Sequence, residues 1–196
     1  LAMPVATQPP LPATAPVTAA ASGLIVAPGK ALTAAAAVDG CREVTVGGRA
    51  ATVATADTGG IATLAFAGDG AGPLRTAATA TGPATVLAAQ SDAKTTVVAV
   101  PGDLAEGRLR AALQAGAQGA PVFDATGALI GLVLGRPNEK RAISGLIPTA
   151  GYEIGTVAAA AAAAGSTIDP GGGDAVSSGR MVTTWAGRVV AVGCRR

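Results

Sequence analysis

Short apolar runs separated by glycine and proline turns limit the fold of this sequence more than any other feature. The chain of 196 residues contains 28 Gly and 13 Pro, spread along its length rather than gathered in one segment. Runs spaced by about ten residues are typical of the strands of a barrel or sandwich. The runs lie at 23–27, 43–46, 49–55, 61–66, 84–88, 95–100, 108–113, 121–123, 128–134, 142–148 and 188–192. The sequence therefore predicts an all-β fold.

The remaining segments differ from this pattern. Residues 1–21 are rich in Pro, Ala and Thr, without a period, and predict an extended tether. Residues 152–164 are Ala-rich and are followed by Gly165, which predicts one C-terminal helix with a glycine cap. Residues 166–179 contain three consecutive glycines and predict a linker. Residues 180–196 then form a separate C-terminal segment.

Composition excludes several classes of function. Hydrophobic residues make up 49% of the chain but aromatic residues only 2%, so the core must consist mainly of Ala, Val, Leu and Ile. The net charge of +2 is too small to indicate a polyanionic partner, and no Lys/Arg cluster alternates with aromatics. We therefore expect no nucleic-acid binding. No window of about 18 residues is continuously apolar with bulky side chains, so we expect no transmembrane segment.

The residues available for metal or cofactor chemistry are few. The chain contains no histidine and only two cysteines, Cys41 and Cys194, which lie far apart. This excludes an imidazole zinc site and disfavours any metal site. The glycines of Gly68–Gly72 precede a proline rather than a helix, unlike a phosphate-binding loop. We expect neither metal nor cofactor.

The two cysteines are interpreted as a disulfide, with two free buried thiols as the alternative. Residues Leu1–Ala6 are similar to the end of a signal peptide with a small-residue cleavage site, although the charged region that precedes it is absent. Disulfides persist in oxidising compartments. We therefore expect a periplasmic or secreted protein.

Four segments, in the correct order, resemble the trypsin-like serine peptidases, and most closely their bacterial Do-like (HtrA-type) branch. Ser22–Val38 resembles the family's opening segment, which ends in the motif that carries the general-base histidine. Asp57–Phe66 resembles the stretch with the orienting aspartate, and Gly116–Val133 the segment around the nucleophilic serine. Ser144–Pro148 resembles the end of the second barrel. The resemblance covers about residues 22–165. It implies two six-stranded antiparallel β-barrels, at about 22–78 and 79–150, packed with the C-terminal helix.

The resemblance also locates the positions of the family's catalytic triad. The histidine position is Ala36, the aspartate position is Gly60 (or Ile61 with a different gap), and the serine position is Gln118. None of these side chains can act as nucleophile, general base or orienting acid in the serine mechanism. We therefore expect that the chain is not an enzyme but a pseudopeptidase.

The loop around the nucleophile position departs from the family in part. Ala117 occupies the position of the acid that helps to set the oxyanion loop, and Ala120 replaces a glycine. Gly116 and Gly119 match the family, so backbone N–H groups could still form a polar nest. We interpret Gly116 and Ala117 as a remnant oxyanion loop.

The function expected from these features is that of a catalytically inactive binding or scaffolding subunit in the bacterial envelope. Its partner would be a protein or peptide, and it could belong to a larger assembly, because added-strand binding needs no triad. The alternative is a serine-type peptidase with relocated or unconventional catalytic groups.

The C-terminal segment completes the prediction. Cys41 precedes the predicted strand at Glu43, and Cys194 follows the predicted strand Arg188–Val192. We expect Cys41 to pair with Cys194 and this last strand to complete the first barrel, since the residues before Ser22 are poorly suited to a sheet. The alternative is a tail docked elsewhere with both thiols free. Trp185 is either a buried anchor or an exposed contact for a partner.

Overall fold

Strands make up most of this structure, a computed structural model that describes residues 19–69, 74–77, 81–91, 95–137, 146–156, 168–170 and 173–196. The elements in chain order are β1 Ala19–Ala27, β2 Lys30–Ala34, α1 Ala35–Val38, β3 Glu43–Val46, β4 Arg49–Thr58, β5 Ile61–Phe66, β6 Leu74–Thr76, β7 Gly82–Ser91, β8 Thr95–Ala105, β9 Arg108–Ala111, β10 Pro121–Asp124, β11 Leu129–Val133, β12 Ala150–Thr156, β13 Ile168–Pro170, α2 Ser178–Trp185 and β14 Val189–Arg195.

Glycine turns join several of these strands, as the sequence predicts. Gly47 and Gly48, with φ of 55° and 79°, connect β3 to β4, and Val46 pairs with Arg49 across them. Two-residue hairpin loops favour positive φ at both central positions, which glycine adopts without steric cost. Glu106 and Gly107 form the corresponding turn between β8 and β9, with φ of 53° and 73°.

The strands close into two barrels. The first has the order β1–β14–β3–β4–β5–β2 and closes through antiparallel pairing of β1 with β2. The second has the order β10–β7–β8–β9–β12–β11 and closes through β10 and β11, while β6 and β13 extend its sheet in parallel. The predicted fold class, two six-stranded antiparallel barrels with a C-terminal helix, is confirmed.

The last strand, β14, lies between β1 and β3. Val192 pairs with Ala21 on one side and with Val46 on the other. Residues 1–18, most of the predicted tether, lie outside the described residues, but Ala19–Ala21 are part of β1 and pair with β14. The remaining domain boundaries stay predictions.

The predicted helix at 152–164 is wrong in its first part. Residues Ala150–Thr156 form β12, which pairs with β9 and β11. Tyr152 is buried and Glu153 is exposed, the alternation of a strand, and completion of the barrel outweighs the weak helical preference of the segment. Residues 157–164 and Gly165 lie outside the described residues. The described C-terminal helix is α2 instead, which begins with Ser177 as N-cap.

The strand predicted at 142–148 is not present in the part of that segment that the structure describes. Residues 142–145 lie outside the described residues, and from Leu146 to Thr149 the chain makes only an isolated bridge before β12 begins. The sixth strand of the second barrel therefore starts later than the apolar run suggested.

Three apolar clusters form the core. One fills the first barrel and includes Leu64 and Val192. A second fills the other barrel and includes Leu109 and Val133. The third lies between the barrels and takes residues from both as well as from α2: Leu24, Leu32, Ile61, Leu87, Phe123, Leu132, Met181 and Trp185. This third cluster holds the two barrels together beside the site described next.

Candidate functional site

The segment Gly116–Ala120, called the site loop below, leads into β10 and carries the predicted nucleophile and oxyanion positions. Its backbone is fastened to the second barrel: the N–H of Gly119 donates to Val133 O at 2.7 Å, and the N–H of Val133 donates to Ala120 O at 2.9 Å. The N–H of Ala120 donates to Ala117 O at 3.0 Å, which closes a turn within the loop. The site loop thus has a fixed shape.

A buried serine from the first barrel fastens the same loop from the other side. Ser22 has no exposed surface, and its Oγ donates to Gly116 O at 2.7 Å and accepts from the N–H of Ala89 at 2.9 Å. Its backbone N–H donates to Gln118 O at 2.8 Å, and its carbonyl accepts from Thr33 Oγ1 at 2.8 Å. Ser22 was predicted only as the first residue of the segment that resembles the family's opening, with no role in the site.

Gly119 is a glycine because the two barrels meet there. Its φ is +81°, and a Cβ would overlap Ser22 O and Thr33 Oγ1 and would lie 3.0 Å from Ala34 N. Any side chain would therefore push the site loop away from the first barrel.

Two backbone N–H groups of the site loop have no acceptor among the described residues. They belong to Gly116 and Gln118, whereas the intervening Ala117 N–H donates to Gln114 O at 3.2 Å. Alternating unpaired N–H groups in a turn form a nest that attracts a carbonyl or carboxylate oxygen. The predicted remnant oxyanion loop named Gly116 and Ala117; in the structure the Ala117 N–H is bonded, and the unpaired donors among the described residues are those of Gly116 and Gln118.

Gln118 also uses its side chain. The residue is 8% exposed, and Nε2 donates to Leu134 O at 3.1 Å, just beyond the end of β11. Because a neutral carboxamide neither attacks carbonyls nor takes up protons at neutral pH, Gln118 acts here as a hydrogen-bonding group.

The three positions aligned with the triad differ in their surroundings. Ala36 is exposed in α1, and Ala34, immediately before this helix, abuts Gly119. A Cβ at Gly60 would lie 2.9 Å from Leu134 Cδ1, so the leucine side chain occupies the space beside the aspartate position. Gly60 and Gln118 both contact Leu134, Ala36 follows two residues after Ala34, and none of the three positions carries a titratable side chain.

No group of three His, Cys, Asp or Glu residues that could hold a metal ion occurs in the part of the chain that the structure describes. The same described part contains no helix long and apolar enough to cross a membrane. The predicted disulfide is confirmed: Cys41 and Cys194 are bonded, with Cα atoms 5.4 Å apart and a sequence separation of 153. It ties the turn after α1 to the end of β14.

Trp185 is a buried anchor rather than an exposed contact for a partner. It is 5% exposed and packs against Phe123 of β10, with ring centroids 4.7 Å apart. Arg188 lies over its ring at 4.9 Å and donates from Nε to Ile25 O at 3.2 Å. Burial lowers the pKa of Arg188 because it disfavours the charged guanidinium. The C-terminal segment thus touches the strand after the site loop and the strand that carries Ser22.

Comparison with known proteins agrees with this architecture. No protein-family model and no curated protein matches the chain. An inactive form of the Rv3671c protease is 25% identical, with a TM-score of 0.53 over 76% of this chain and 88% of that one. The active form, from M. tuberculosis, is 22% identical, with a TM-score of 0.55 over 90% of this chain and all of that one. The HtrA-type protease AlgW, solved with a decapeptide, is 19% identical, with a TM-score of 0.55 over 73% of this chain and 50% of that one.

The chain has the trypsin-like serine protease fold. The trypsin-like domain is therefore protease-like in architecture, as the four sequence segments predicted.

The expectation that the trypsin-like domain is not an enzyme is wrong. Similar structures are those of serine proteases, including an active form, and nothing in the structure shows catalytic inactivity. The error has a physical source: Ala36, Gly60 and Gln118 exclude one arrangement of catalytic groups, whereas hydrolysis can be performed by several others.

Proposed function

We propose that this trypsin-like domain acts in the bacterial envelope as a subunit that binds an extended protein or peptide segment at the junction of its barrels. The unpaired N–H groups of Gly116 and Gln118 carry this proposal. They would receive a carbonyl or a terminal carboxylate oxygen of the bound segment.

The chemistry of the site favours a main-chain ligand. Neutral donors in a nest match an oxygen that is itself neutral or carries one negative charge, as peptide carbonyls and carboxylates do. Neither Ala36, Gly60 nor Gln118 presents a charged group, so nothing at these positions selects a charged side chain. The ligand would be recognised by its backbone.

A neighbouring strand end offers the second contact. β11 ends at Val133, and Leu134 continues the chain with its N–H donating to Glu153 O at 2.9 Å. No described strand pairs with Gly135 or Arg136. An extended segment beside these residues would add a strand to the second barrel, a common mode of peptide recognition.

The site loop is also held in place before any ligand arrives. Ser22 and Val133 fix it from the two barrels, and Gly119 permits their close approach. A loop that is already ordered loses little conformational entropy on binding, which favours affinity.

The envelope location rests on the disulfide. A bond between Cys41 and Cys194 persists in an oxidising compartment and is rare in the cytosol.

Amide resonances test the binding site directly. We would titrate the ¹⁵N-labelled chain with β-casein, an extended polypeptide, and follow the N–H resonances of Gly116 and Gln118. We expect both to move downfield as they acquire an acceptor, whereas Gly107, an exposed turn glycine with φ of +73°, stays in place. Binding that leaves the resonances of Gly116 and Gln118 unchanged would place the ligand elsewhere and contradict the proposal.

A second candidate function is a peptidase that uses catalytic groups other than those aligned with the triad. The same two N–H groups favour it, since paired backbone donors also stabilise the oxyanion formed in acyl transfer. Gel analysis of β-casein after incubation with the domain distinguishes the two. Cleavage that is lost in Gly119→Ala, which displaces the site loop, would support the peptidase. Cleavage that survives this variant would come from another source.

A further inference from the structure

Gln118 makes a contact that its position in the site does not require. Its backbone N–H belongs to the nest, but its side chain turns to the strand end and donates from Nε2 to Leu134 O at 3.1 Å. A carboxamide has the same donor and acceptor as a peptide group. Gln118 therefore gives Leu134 the hydrogen bond that an N–H of an added strand would give.

Leu134 is held so that this carbonyl keeps its direction. Its N–H donates to Glu153 O at 2.9 Å, and its side chain lies against Gly60 and Gly155, where added Cβ atoms would come within 2.9 and 3.1 Å of it. The N–H and the side chain of Leu134 are thus both in contact with neighbouring residues. Its carbonyl accepts a hydrogen bond from Gln118 in the described structure.

The amide of Gln118 is held by a single hydrogen bond among the described residues. Its Oε1 has no hydrogen-bond partner among the described residues, and no buried side-chain N or O atom of the described chain lacks a partner. It follows that Oε1 reaches solvent. The hydrogen bond from Nε2 to Leu134 O is therefore the one side-chain hydrogen bond of Gln118 among the described residues that displacement must break.

We propose that Gln118 is a built-in competitor for the peptide site: its side-chain amide occupies Leu134 O and must leave before an extended segment can pair there. This inference rests on the proposed function, because it assigns a regulatory contact to the same site. On this proposal, the hydrogen bond of Gln118 lowers the affinity of the site for an extended segment, because the segment must displace it from Leu134 O.

Removal of the amide should therefore strengthen binding. One neutral hydrogen bond contributes about 0.5–1.5 kcal/mol, which corresponds to a change in Kd of about two- to tenfold. We expect Gln118→Ala to bind fluorescein-labelled β-casein more tightly by this factor, measured by fluorescence anisotropy. Gln118→Met keeps the length of the side chain but lacks the donor, so it should also bind more tightly and separates the hydrogen bond from the space that Ala vacates.

Gln90→Ala is the matched control. It also removes a glutamine Nε2 that donates at 3.1 Å, but to the side chain of Gln114 rather than to Leu134. We expect its Kd to equal that of the wild-type chain. Thermal unfolding of each variant checks that the fold is retained.

The outcomes separate the two proposals. If the wild-type chain binds β-casein with shifts at Gly116 and Gln118, but both Gln118 variants bind equally or more weakly, the competitor is refuted and the binding site stands. If neither the wild-type chain nor the variants bind, the proposed function fails and the competitor fails with it. Detectable binding only in the Gln118 variants would support both.

Discussion

The two barrels of this domain achieve closure in different ways. The second barrel is built from strands between Gly82 and Thr156, each paired with strands of the same stretch of chain. The first barrel consists of residues 19–66 and remains open between β1 and β3 until Val189–Arg195 returns from the far end of the sequence. Pairing two strands that are far apart in the sequence closes a long loop. The loss of conformational entropy is therefore larger for the first barrel than for the second, whose strands are close in sequence.

The difference explains where the covalent and aromatic contacts lie. The disulfide joins β14 to the turn after α1 in the first barrel, and Trp185 packs just before β14 begins. The second barrel has no disulfide, because the chain's only two cysteines are bonded to each other in the first barrel. The first barrel thus depends on the C-terminal segment for its closure, whereas the second closes without it.

Truncation should give the largest effect. A chain ending at Ser177 lacks α2 and β14, so β1 and β3 lose their shared partner and the inter-barrel cluster loses Met181 and Trp185. We expect amide hydrogen exchange to become fast throughout β1–β5 while β7–β12 stay protected. A chain shortened only by Arg196 should exchange like the full chain. Simultaneous loss of protection in both barrels would show that they fold as one unit.

Loss of the disulfide should be the next largest effect. In the chain-entropy model, closing a loop of this length stabilises the folded state by about 5 kcal/mol. We expect the double variant Cys41→Ala with Cys194→Ala to lose about 2–5 kcal/mol of unfolding free energy in urea. Exchange should accelerate first in β14 and its neighbours. A loss below about 1 kcal/mol would mean that the strand is held by its ladders alone.

Gly119→Ala tests the place where the barrels touch. The new Cβ would overlap Ser22 O and Thr33 Oγ1, so we expect a loss of roughly 3 kcal/mol or more in urea unfolding. Gly107→Ala is the matched control, because its φ of +73° is similar but its Cβ would meet nothing within 4 Å. It should lose only about 1–2 kcal/mol from the left-handed backbone. Equal losses would show that the close approach at Gly119 relaxes without penalty.

Ser22→Ala should have the smallest effect of the four. It leaves the buried N–H of Ala89 and the carbonyl of Gly116 without their common partner, which destabilises by about 1–3 kcal/mol. Thr184→Ala, which removes an exposed hydroxyl bonded to Arg180 O, should change stability by less than about 0.5 kcal/mol. If Ser22→Ala were as mild as the control, water would have replaced the serine hydroxyl between the barrels.

Most of the strands could be predicted from the sequence because their signals are local. The dipeptide Gly47–Gly48 marks a hairpin whatever surrounds it, and the run at 61–66 is a strand in the structure as predicted. The segment at 152–156 could not be assigned correctly, because its weak helical preference is overridden by pairing with β9 and β11. The secondary structure of such a segment is decided by the strands that pair with it.

The residues of the candidate site also differ in whether local sequence could predict them. The segment that contains Gly116 and Gln118 was singled out through its resemblance to the family, but that Gln118 rather than Ala117 has the N–H without an acceptor among the described residues could be read only from the structure. Ser22 and Leu134 were not assigned, since each acts through a contact with a residue far away in the sequence. The inference of inactivity failed because missing side chains at three positions limit one mechanism and not the function of the fold.

The sequence by itself determined the all-β class, many of the turns and the neutral side chains at Ala36, Gly60 and Gln118. These depend on residue identity and on short-range backbone preferences, which each segment carries with it. Tertiary structure alone decided that Ser22 fastens the site loop, that Gln118 occupies Leu134 O and that β12 is a strand. Those features arise where distant segments compete for the same hydrogen bonds and the same buried space, and that competition is settled only when both barrels are closed.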